Sequence, residues 1–512
     1  MSKKRIAAID IGSNAPKLMI AEKGKDNRPK IIESVRANLA LGVDTYNYHV
    51  ISEESLDELS EILIGFKQKL NEYKIKKYRV VATSAVREAK NKDFVLARIK
   101  QRTGFECEVL SNSEERYLHN LALSEDWSEF KHLSDEGCIV LDMGAGSLQV
   151  SAFNNKSRLM SQNLKLGFLR MNELFSAIQS RSSSYDKMMG DYISSKISAL
   201  ELFGLESNSN MQLVAAGNDV EYVRYLLDLD PDETYVSAAD ILDIYSKLLR
   251  TTPLELTLHD NIPNDVAENL FSIVLIIFRF LSALDLSGVY LPNMQLSYGL
   301  LFDLAMREFS YKPKHNHIKD TISAVNVMVK RYGGDLDHLY AKERDALAIY
   351  NVLKKQYEFP DNFEILLRLT VRMSELGKYI IPENHEKTSA AIVQQNEFIG
   401  LSSRSTEMIA DAIRYSGGDE IPDSKKLRYR SYNYRMTVLK LTAILRVASA
   451  LEFSATNKVE AIETKLKENE LRLTLHVNDD INLERFALQK RSSLLKELFG
   501  ISIDLKEHVV FE

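Results

Sequence analysis

Cysteine is almost absent from this chain, which has two cysteines, one tryptophan and ten prolines in 512 residues. Cys107 and Cys138 lie in apolar, strand-like runs and predict small buried thiols, which excludes a disulfide framework or a cysteine-based zinc site. The chain also lacks an apolar run of the roughly eighteen residues that span a bilayer, and no signal-like apolar stretch precedes its first predicted strand. These absences predict a cytoplasmic protein with no membrane partner.

A strong charge of one sign is also missing. The 66 basic and 72 acidic residues leave a net charge of −6 at pH 7. A nucleic acid would therefore need a local basic surface, because the overall field repels a polyanion. The candidate surface is a basic and aromatic tract at residues 425–435, which suits either a solvated loop or the wall of a groove for a long polyanion. We predict no specific nucleic-acid partner.

Two similar turns stand out in what the chain does contain, at residues 10–14 and 142–147. Each follows a short apolar run, begins with an acid and continues with glycine and small polar residues. Glycine lets backbone N–H groups approach a phosphate oxygen, and the two acids could hold Mg²⁺. Taken alone, the first turn could equally be a hairpin cap. Together the turns predict a phosphate clamp formed by Asp10, Gly12, Ser13, Asn14, Gly144, Ala145, Gly146 and Ser147, with Asp10 and Asp142 as the metal acids.

The length predicts three or four domains. Strands alternate with helices over residues 1–125 and again over 126–304, which indicates two layered α/β lobes. Within the second lobe, residues 269–278 are apolar on every side and predict a core helix. A polar segment at 311–317 predicts a linker. Residues 318–455 have helical periodicity throughout, and 456–512 contain alternating strand patterns that predict a small α/β tail.

Five segments of the chain match known signature blocks in order and spacing, namely residues 10–14, 82–91, 113–116, 142–147 and 166–170. In these the chain resembles the exopolyphosphatase and guanosine pentaphosphate phosphohydrolase (Ppx/GppA) family of the actin-like ATPase superfamily. The resemblance implies two actin-like (ribonuclease H-like) lobes, an all-α HD-like domain and a Mg²⁺ cofactor. It also implies a homodimer and a substrate that is inorganic polyphosphate or a guanosine polyphosphate. The catalytic residues that it implies are Glu114 as the water-activating glutamate, Asp142, Arg87 and the position of Gln149, with Gly217 in a third phosphate loop.

The sequence departs from the family pattern at several of these positions. Gln149 stands where the family has a glutamate, so its ability to bind a metal or accept a proton is weaker. Asp219 adds an acid to the third loop, where it could instead be the N-cap of the helix that follows. In the helical domain only His338 and His385 remain of the expected ligands. We therefore expect no metal site there and interpret both as helix-surface or interface histidines.

Two hypotheses from different classes follow. The first is a Mg²⁺-dependent phosphohydrolase that releases terminal phosphate from polyphosphate or guanosine polyphosphate, with Glu114 steering the attacking water. The second is a polyphosphate- or alarmone-binding regulatory protein that has kept the clamp and lost efficient chemistry, and it rests on the departures at Gln149 and elsewhere. A sugar or acetate kinase is disfavoured, because residues 82–91 and the helical C-terminal half suit phosphohydrolases better.

Overall fold

A computed structural model describes residues 4–179, 185–200, 211–217, 219–230, 232–315, 317–396, 398–418, 422, 427 and 429–509. The chain divides into two compact units, Met1–Asp320 and Thr321–Glu512. The first unit contains two α/β lobes, and the second combines helices with a small sheet.

The first lobe is a sheet flanked by helices. Its elements are β1 (Arg5–Ile11), β2 (Pro16–Lys23), β3 (Pro29–Arg36), α1 (Leu41–Tyr48), α2 (Glu53–Glu72), β4 (Tyr78–Ala82), α3 (Ser84–Glu88), α4 (Lys92–Thr103), β5 (Cys107–Val109) and α5 (Asn112–Asp126). The described strands have the order β3-β2-β1-β4-β5, with β1 antiparallel to β2 and parallel to β4. β1 is buried along nearly its whole length because helices cover both faces of the sheet.

The second lobe repeats this order around β6. Its elements are α6 (Phe130–Glu136), β6 (Cys138–Met143), β7 (Leu148–Asn154), β8 (Ser157–Leu164), α7 (Phe168–Gln179), α8 (Tyr185–Ser198), β9 (Gln212–Gly217), α9 (Val220–Leu226), β10 (Tyr235–Ser237), α10 (Ala238–Leu248), α11 (Pro253–His259), α12 (Asn264–Leu284) and β11 (Gly288–Tyr290). The order β8-β7-β6-β9-β11 matches that of the first sheet, and β10 is an added antiparallel edge. β1 and β6 are thus equivalent strands, so the two acidic turns that follow them occupy equivalent places.

One helix crosses the predicted end of the second lobe at residue 304. α13 (Leu296–Glu308) begins inside the segment 126–304 but packs with α5 against β1 and β2 of the first sheet. That face of the sheet carries apolar side chains, including Ile6, Ala8 and Met19, which need a cover to leave water. The end of the second segment therefore belongs to the first lobe.

The predicted core helix is confirmed as α12. It is the one helix in the described residues that is long and apolar enough to cross a membrane, and 67% of its most apolar window is buried inside the protein. Its buried residues, such as Ile273, Val274 and Ile277, belong to the core of the second lobe. The helix is apolar all round because it is surrounded by protein.

The second unit contains α14 (His317–Arg331), whose first turn precedes the unit boundary, α15 (Leu336–Leu353), α16 (Phe363–Met373), α17 (Glu386–Gln395), α18 (Ser403–Arg414), α19 (Tyr432–Leu451), β12 (Val459–Lys467), β13 (Glu470–Val477), α20 (Asn482–Arg491), α21 (Ser493–Phe499) and β14 (Ser502–Val509). β13 and β14 confirm the predicted C-terminal strands. One apolar cluster joins the helices to the sheet, so the segments 318–455 and 456–512 share a single core. The likeness of the helical part to an HD domain stays a prediction.

The predicted linker at 311–317 is not a free connection. Its described residues pack against α5 in the first unit, where the buried carboxylate of Glu125 accepts hydrogen bonds from the Tyr311 hydroxyl and from the backbone N–H of Lys314. A buried carboxylate requires such donors. The segment is therefore fixed to α5 by its backbone and by Tyr311, while Lys312 and Lys314 are exposed.

Candidate functional site

The two acidic turns meet around the hydroxyls of Tyr46 and Ser84. In the first turn the Ser13 hydroxyl lies 2.8 Å from the Ser84 hydroxyl and accepts a hydrogen bond from the Tyr46 hydroxyl. Gly146 of the second turn packs against the Tyr46 and Ser84 hydroxyls, since a Cβ on Gly146 would lie 2.2 Å from the Tyr46 oxygen and 2.8 Å from the Ser84 oxygen. Glycine is required at 146 because the turns of the two lobes approach each other this closely.

A pocket opens between the second turn and the N-terminal half of α5. Its lining combines one histidine, two carboxylates, an arginine, two amides and the small residues of the turn. These residues are Asn112, Glu115, Arg116, His119, Asp142, Gly144, Ser147 and Gln149. Donors, a base and metal-binding carboxylates thus meet in one place, which is the set that phosphoryl transfer requires.

Glu114 does not line this pocket, and its neighbour Glu115 does. Glu114 is the third residue of α5 and forms a capping box, in which its Oε2 accepts from the backbone N–H of Ser111 at 3.0 Å and from the Ser111 hydroxyl at 2.7 Å. Glu115 Oε2 instead accepts from Arg87 Nη1 at 2.9 Å. The structure therefore corrects the water-activating assignment, because the Glu114 carboxylate is committed to closing the helix.

His119 is the site residue that the sequence reasoning missed. Its Nδ1 is hydrogen-bonded to Asp142 Oδ2, and its buried Nε2 has no hydrogen-bond partner among the described residues. Burial lowers the pKa of His119, but the charge and hydrogen bond of Asp142, with help from Glu115 and Asp10, outweigh burial and raise the pKa above its usual value. The four-residue spacing from Glu115 on α5 is the signal that could have found it, since that spacing places both side chains on one helix face.

Asp10 is the buried acid of the first turn. It is 1% exposed, and its Oδ1 has no hydrogen-bond partner among the described residues. Burial raises the pKa of Asp10 to about 7, with Lys17 and His119 opposing the shift and Glu115 adding to it. Glu115 and His119, which line the pocket, thus act on the charge of Asp10. A buried carboxylate with an unused oxygen fits a hard divalent cation, which prefers oxygen ligands.

Asp219 occupies the N-cap position of a helix, but its side chain does not cap that helix. It precedes α9, but its side chain makes no capping bond, and its Oδ2 accepts from the Asn14 amide at 3.0 Å instead. Burial raises the pKa of Asp219 to about 6, against the attraction of Lys17 and Arg36. The predicted N-cap role of the side chain is therefore wrong, and Asp219 joins the third loop to the first turn.

Gln149 lies next to Asp142 across the β6–β7 ladder and is 4% exposed. Its Nε2 contacts the Ser161 hydroxyl, while its Oε1 has no partner among the described residues. The amide therefore reaches the pocket as a neutral group beside Asp142.

Arg87 and Arg170 are both held by protein groups. Arg87 donates to the Leu110 carbonyl and to Glu115. Arg170 donates to both oxygens of Glu88 and to the Gly146 carbonyl, and it stacks over Tyr46 with 4.6 Å between the guanidinium carbon and the ring centre. Arg170 is thus a structural ion pair that fastens the second turn to the first lobe.

Gly217 lies behind the pocket. It ends β9 at φ +138, and a Cβ there would lie 2.2 Å from the Met143 carbonyl oxygen. It lines a neighbouring cavity with His119, Asp142 and Met294. Close packing against β6 explains this glycine, and its contact with phosphate stays a prediction.

The remaining predicted features lie in the second unit. His338 is buried, with Nε2 3.2 Å from Glu375 Oε1 and Nδ1 3.8 Å from Glu452 Oε2, so its assignment to a helix surface or interface is wrong. The Lys342 ammonium contacts Glu375 and supplies the positive charge that these carboxylates require.

The basic tract is only partly described, since Lys425, Lys426 and Arg428 lie outside the described residues. Arg430 pairs with Glu407, and Ser431 caps α19. The prediction that this tract forms the wall of a groove for a polyanion stays a prediction.

Comparison with known proteins adds relatives that span most of the chain. A Mycobacterium tuberculosis protein named exopolyphosphatase 1 is 23% identical over 338 residues, covering 64% of this chain and 95% of the relative. A guanosine-5'-triphosphate,3'-diphosphate pyrophosphatase of Photobacterium profundum is 21% identical over 494 residues, covering 92% of this chain and 91% of the relative.

Solved structures agree with the two-lobed fold. A crystal structure of an exopolyphosphatase from Cytophaga hutchinsonii has a TM-score of 0.52 at 20% identity and covers 59% of this chain and 98% of its own. An exopolyphosphatase-like protein has a TM-score of 0.53 at 19% identity, covering 60% and 100%. At these identities the likeness establishes the fold, with its actin-like lobes, and nothing more.

Two family models match successive parts of the chain. The Ppx/GppA phosphatase family matches residues 19–308, and domain III of the Ppx/GppA phosphatases matches residues 322–497. The chain therefore belongs to the Ppx/GppA phosphatase family.

Proposed function

We propose that the protein is a cytoplasmic, Mg²⁺-dependent phosphohydrolase that releases terminal phosphate from inorganic polyphosphate or a guanosine polyphosphate, and that it acts as a homodimer. The observation that carries the proposal is the convergence of Glu115, Asp142 and the glycine-containing second turn on one pocket. The names of the relatives, an exopolyphosphatase and a guanosine polyphosphate pyrophosphatase, support the substrate class.

Glu115 is assigned the role predicted for Glu114. Its carboxylate orients a water molecule and accepts a proton as the water oxygen attacks the terminal phosphorus and the anhydride P–O bond breaks. Arg87 fixes the position of Glu115 through the 2.9 Å ion pair. Gly144 and Ser147 line the pocket where the terminal phosphate would sit, and they offer backbone and hydroxyl donors.

Asp10 and Asp142 would hold Mg²⁺. The buried Oδ1 of Asp10, which has no hydrogen-bond partner among the described residues, supports this assignment. When bound, the ion would neutralise charge on the leaving and transferred phosphate groups. Gln149 beside Asp142 leaves one negative charge fewer than the family pattern provides.

A phosphate-release assay tests the proposal directly. The full chain with Mg²⁺ is offered long polyphosphate, guanosine pentaphosphate and ATP, and binding of each is measured in parallel. We expect phosphate release from polyphosphate or guanosine pentaphosphate that Asp142→Asn abolishes and Asp93→Asn, an exposed acid on α4, leaves unchanged. Absence of release from all three substrates would contradict the proposal.

A second candidate function is a binding protein without efficient turnover. It is favoured by two observations at Asp142, which has Gln149 as a neutral neighbour and His119 bonded to its Oδ2. Gln149→Glu separates the two functions. A large gain in phosphate release identifies the natural protein as a weakened catalyst, whereas tight binding without release in both forms identifies a sensor.

A further inference from the structure

A second cluster of metal-ligating side chains lies in the first unit, in the segment after α13. The ligand atoms of His315, His317 and Asp320 all lie within 4.8 Å of one another, and no other group of this kind occurs among the described residues. His315 Nε2 is 2.8 Å from Asp320 Oδ2, and His317 Nδ1 is 3.8 Å from the same oxygen. Two imidazole nitrogens and a carboxylate oxygen are thus already directed at one point.

The backbone that carries these ligands is held in place by α5. The buried Glu125 carboxylate accepts from the Tyr311 hydroxyl at 2.5 Å, from the Lys314 N–H at 2.9 Å and from the His315 N–H at 3.3 Å. Its burial makes these charge-assisted bonds strong. The segment is therefore preorganised without any bound ion, which lowers the entropy that binding must overcome.

The imidazole rings are oriented by a second layer of contacts. The Ser124 hydroxyl lies 3.3 Å from His317 Nε2, so Nδ1 is the ring atom that faces Asp320. The His317 ring packs edge to face on Tyr117, and the His315 ring packs in the same way on Phe130. A hydrogen bond to the ring nitrogen that does not bind the ion is the usual support of a metal-ligating histidine.

The acid of the cluster keeps one carboxylate oxygen available to a cation. Asp320 is 1% exposed, and its Oδ1 has no hydrogen-bond partner among the described residues. Arg158 is the nearby positive charge that attracts Asp320, and it competes with a bound cation.

We propose that His315, His317 and Asp320 form a binding site for one zinc ion. Nitrogen ligands favour zinc over magnesium, which takes oxygen ligands, and three protein ligands leave one tetrahedral position for water. The ion would fasten the segment that leaves α13 to the first turn of α14, where His317 and Asp320 lie. This site is separate from the phosphate pocket and does not depend on the proposed function.

Zinc binding is measured on the untagged full chain after removal of metals with a chelator. Zinc ions are titrated against a chromophoric competing chelator at about neutral pH, and the control variant is His259→Ala, which removes an exposed histidine. We expect one tight site per chain, weakened at least about 100-fold by Asp320→Asn and by His315→Ala, since each removes a ligand. His259→Ala should bind as the wild type does.

Thermal unfolding provides the second measurement. Added zinc should raise the unfolding temperature of the wild type and of His259→Ala, and it should raise that of Asp320→Asn little, because only a folded site with its ligands gains from binding. His315→Ala removes a partly exposed ring, so it keeps the comparison valid if Asp320→Asn folds poorly. Wild-type binding no tighter than that of the two ligand variants would overturn the proposal and leave a metal-free cluster balanced by Arg158.

Discussion

Glu114 and Glu115 are adjacent in sequence and separated in role by the geometry of one helix. Successive residues of an α-helix point about 100° apart, so Glu114 and Glu115 face different surroundings. Ser111 supplies a capping box that engages Glu114, and this leaves Glu115 on the same face as His119. The S-x-x-E pattern that begins at Ser111 is a capping signature visible in the sequence, and it could have made this distinction.

This difference gives a paired test at the residue scale. Glu115→Gln should lower the rate of phosphate release on the order of 10²-fold or more, the usual effect of losing a general base. Glu114→Gln should change the rate little, because glutamine also serves in a capping box. The rates of both variants are compared with the wild type at saturating substrate. The reverse order of effects would return the catalytic role to Glu114.

The pKa of Asp10 predicts a pH dependence of stability. The folded-state pKa of about 7 exceeds the ordinary 3.8, so the native protein holds a proton that the unfolded chain has already lost. Without a cation, this carboxyl therefore destabilises the fold increasingly between about pH 4 and pH 7, by a total on the order of 4 kcal/mol.

Asp10→Asn should remove that penalty. Relative to the wild type, the variant should gain stability from about pH 4 to about pH 7 in urea unfolding with a chelator present, and Asp93→Asn should not. Added Mg²⁺ should stabilise the wild type and leave Asp10→Asn unaffected. A difference between Asp10→Asn and the wild type that is constant with pH would show that Asp10 titrates normally.

At the scale of elements, the strands and helices of both lobes follow from sequence patterns, but the packing of α13 against the first sheet does not. The predicted strands and turns at β1, β6 and β7 and the core helix α12 are all present. The return of α13 to the first lobe was not predicted, because amphipathic periodicity shows which face of a helix is apolar and not which sheet covers it.

Gly299 makes that packing possible. It lies on α13, and a Cβ there would come within 1.9 Å of the Leu118 carbonyl oxygen on α5. Gly299→Ala should destabilise the protein by about 1–3 kcal/mol in urea unfolding, because α5 and α13 would have to separate. Gly65→Ala on α2 is the matched control, since nothing lies within 4 Å of its Cβ position and alanine is the better helix former, expected to add about 0.5–1 kcal/mol. Equal effects of the two substitutions would refute the close contact.

At the scale of the whole molecule, the question is whether the second unit folds as one domain or as two. The sequence suggests a helical domain and a separate tail, but Val459, Leu471 and Leu473 belong to the same apolar cluster as the helices. A chain of residues 321–512 should therefore unfold cooperatively when expressed alone, whereas 321–455 should not, because it leaves that core open to water. Urea unfolding followed by far-UV circular dichroism checks this. Cooperative unfolding of 321–455 would support two domains.

The sequence by itself determined the family, the two-lobed α/β fold and the pairing of two acidic turns, because these depend on local patterns of apolar residues, glycine and acids. The tertiary structure decided which side chains reach the pocket. Glu115 and His119 line the pocket, whereas Glu114 does not. The Asp219 side chain accepts a hydrogen bond from Asn14, and His338 is buried. These outcomes depend on helix phase and on contacts between residues far apart in the chain, and neither is contained in the local composition around a motif.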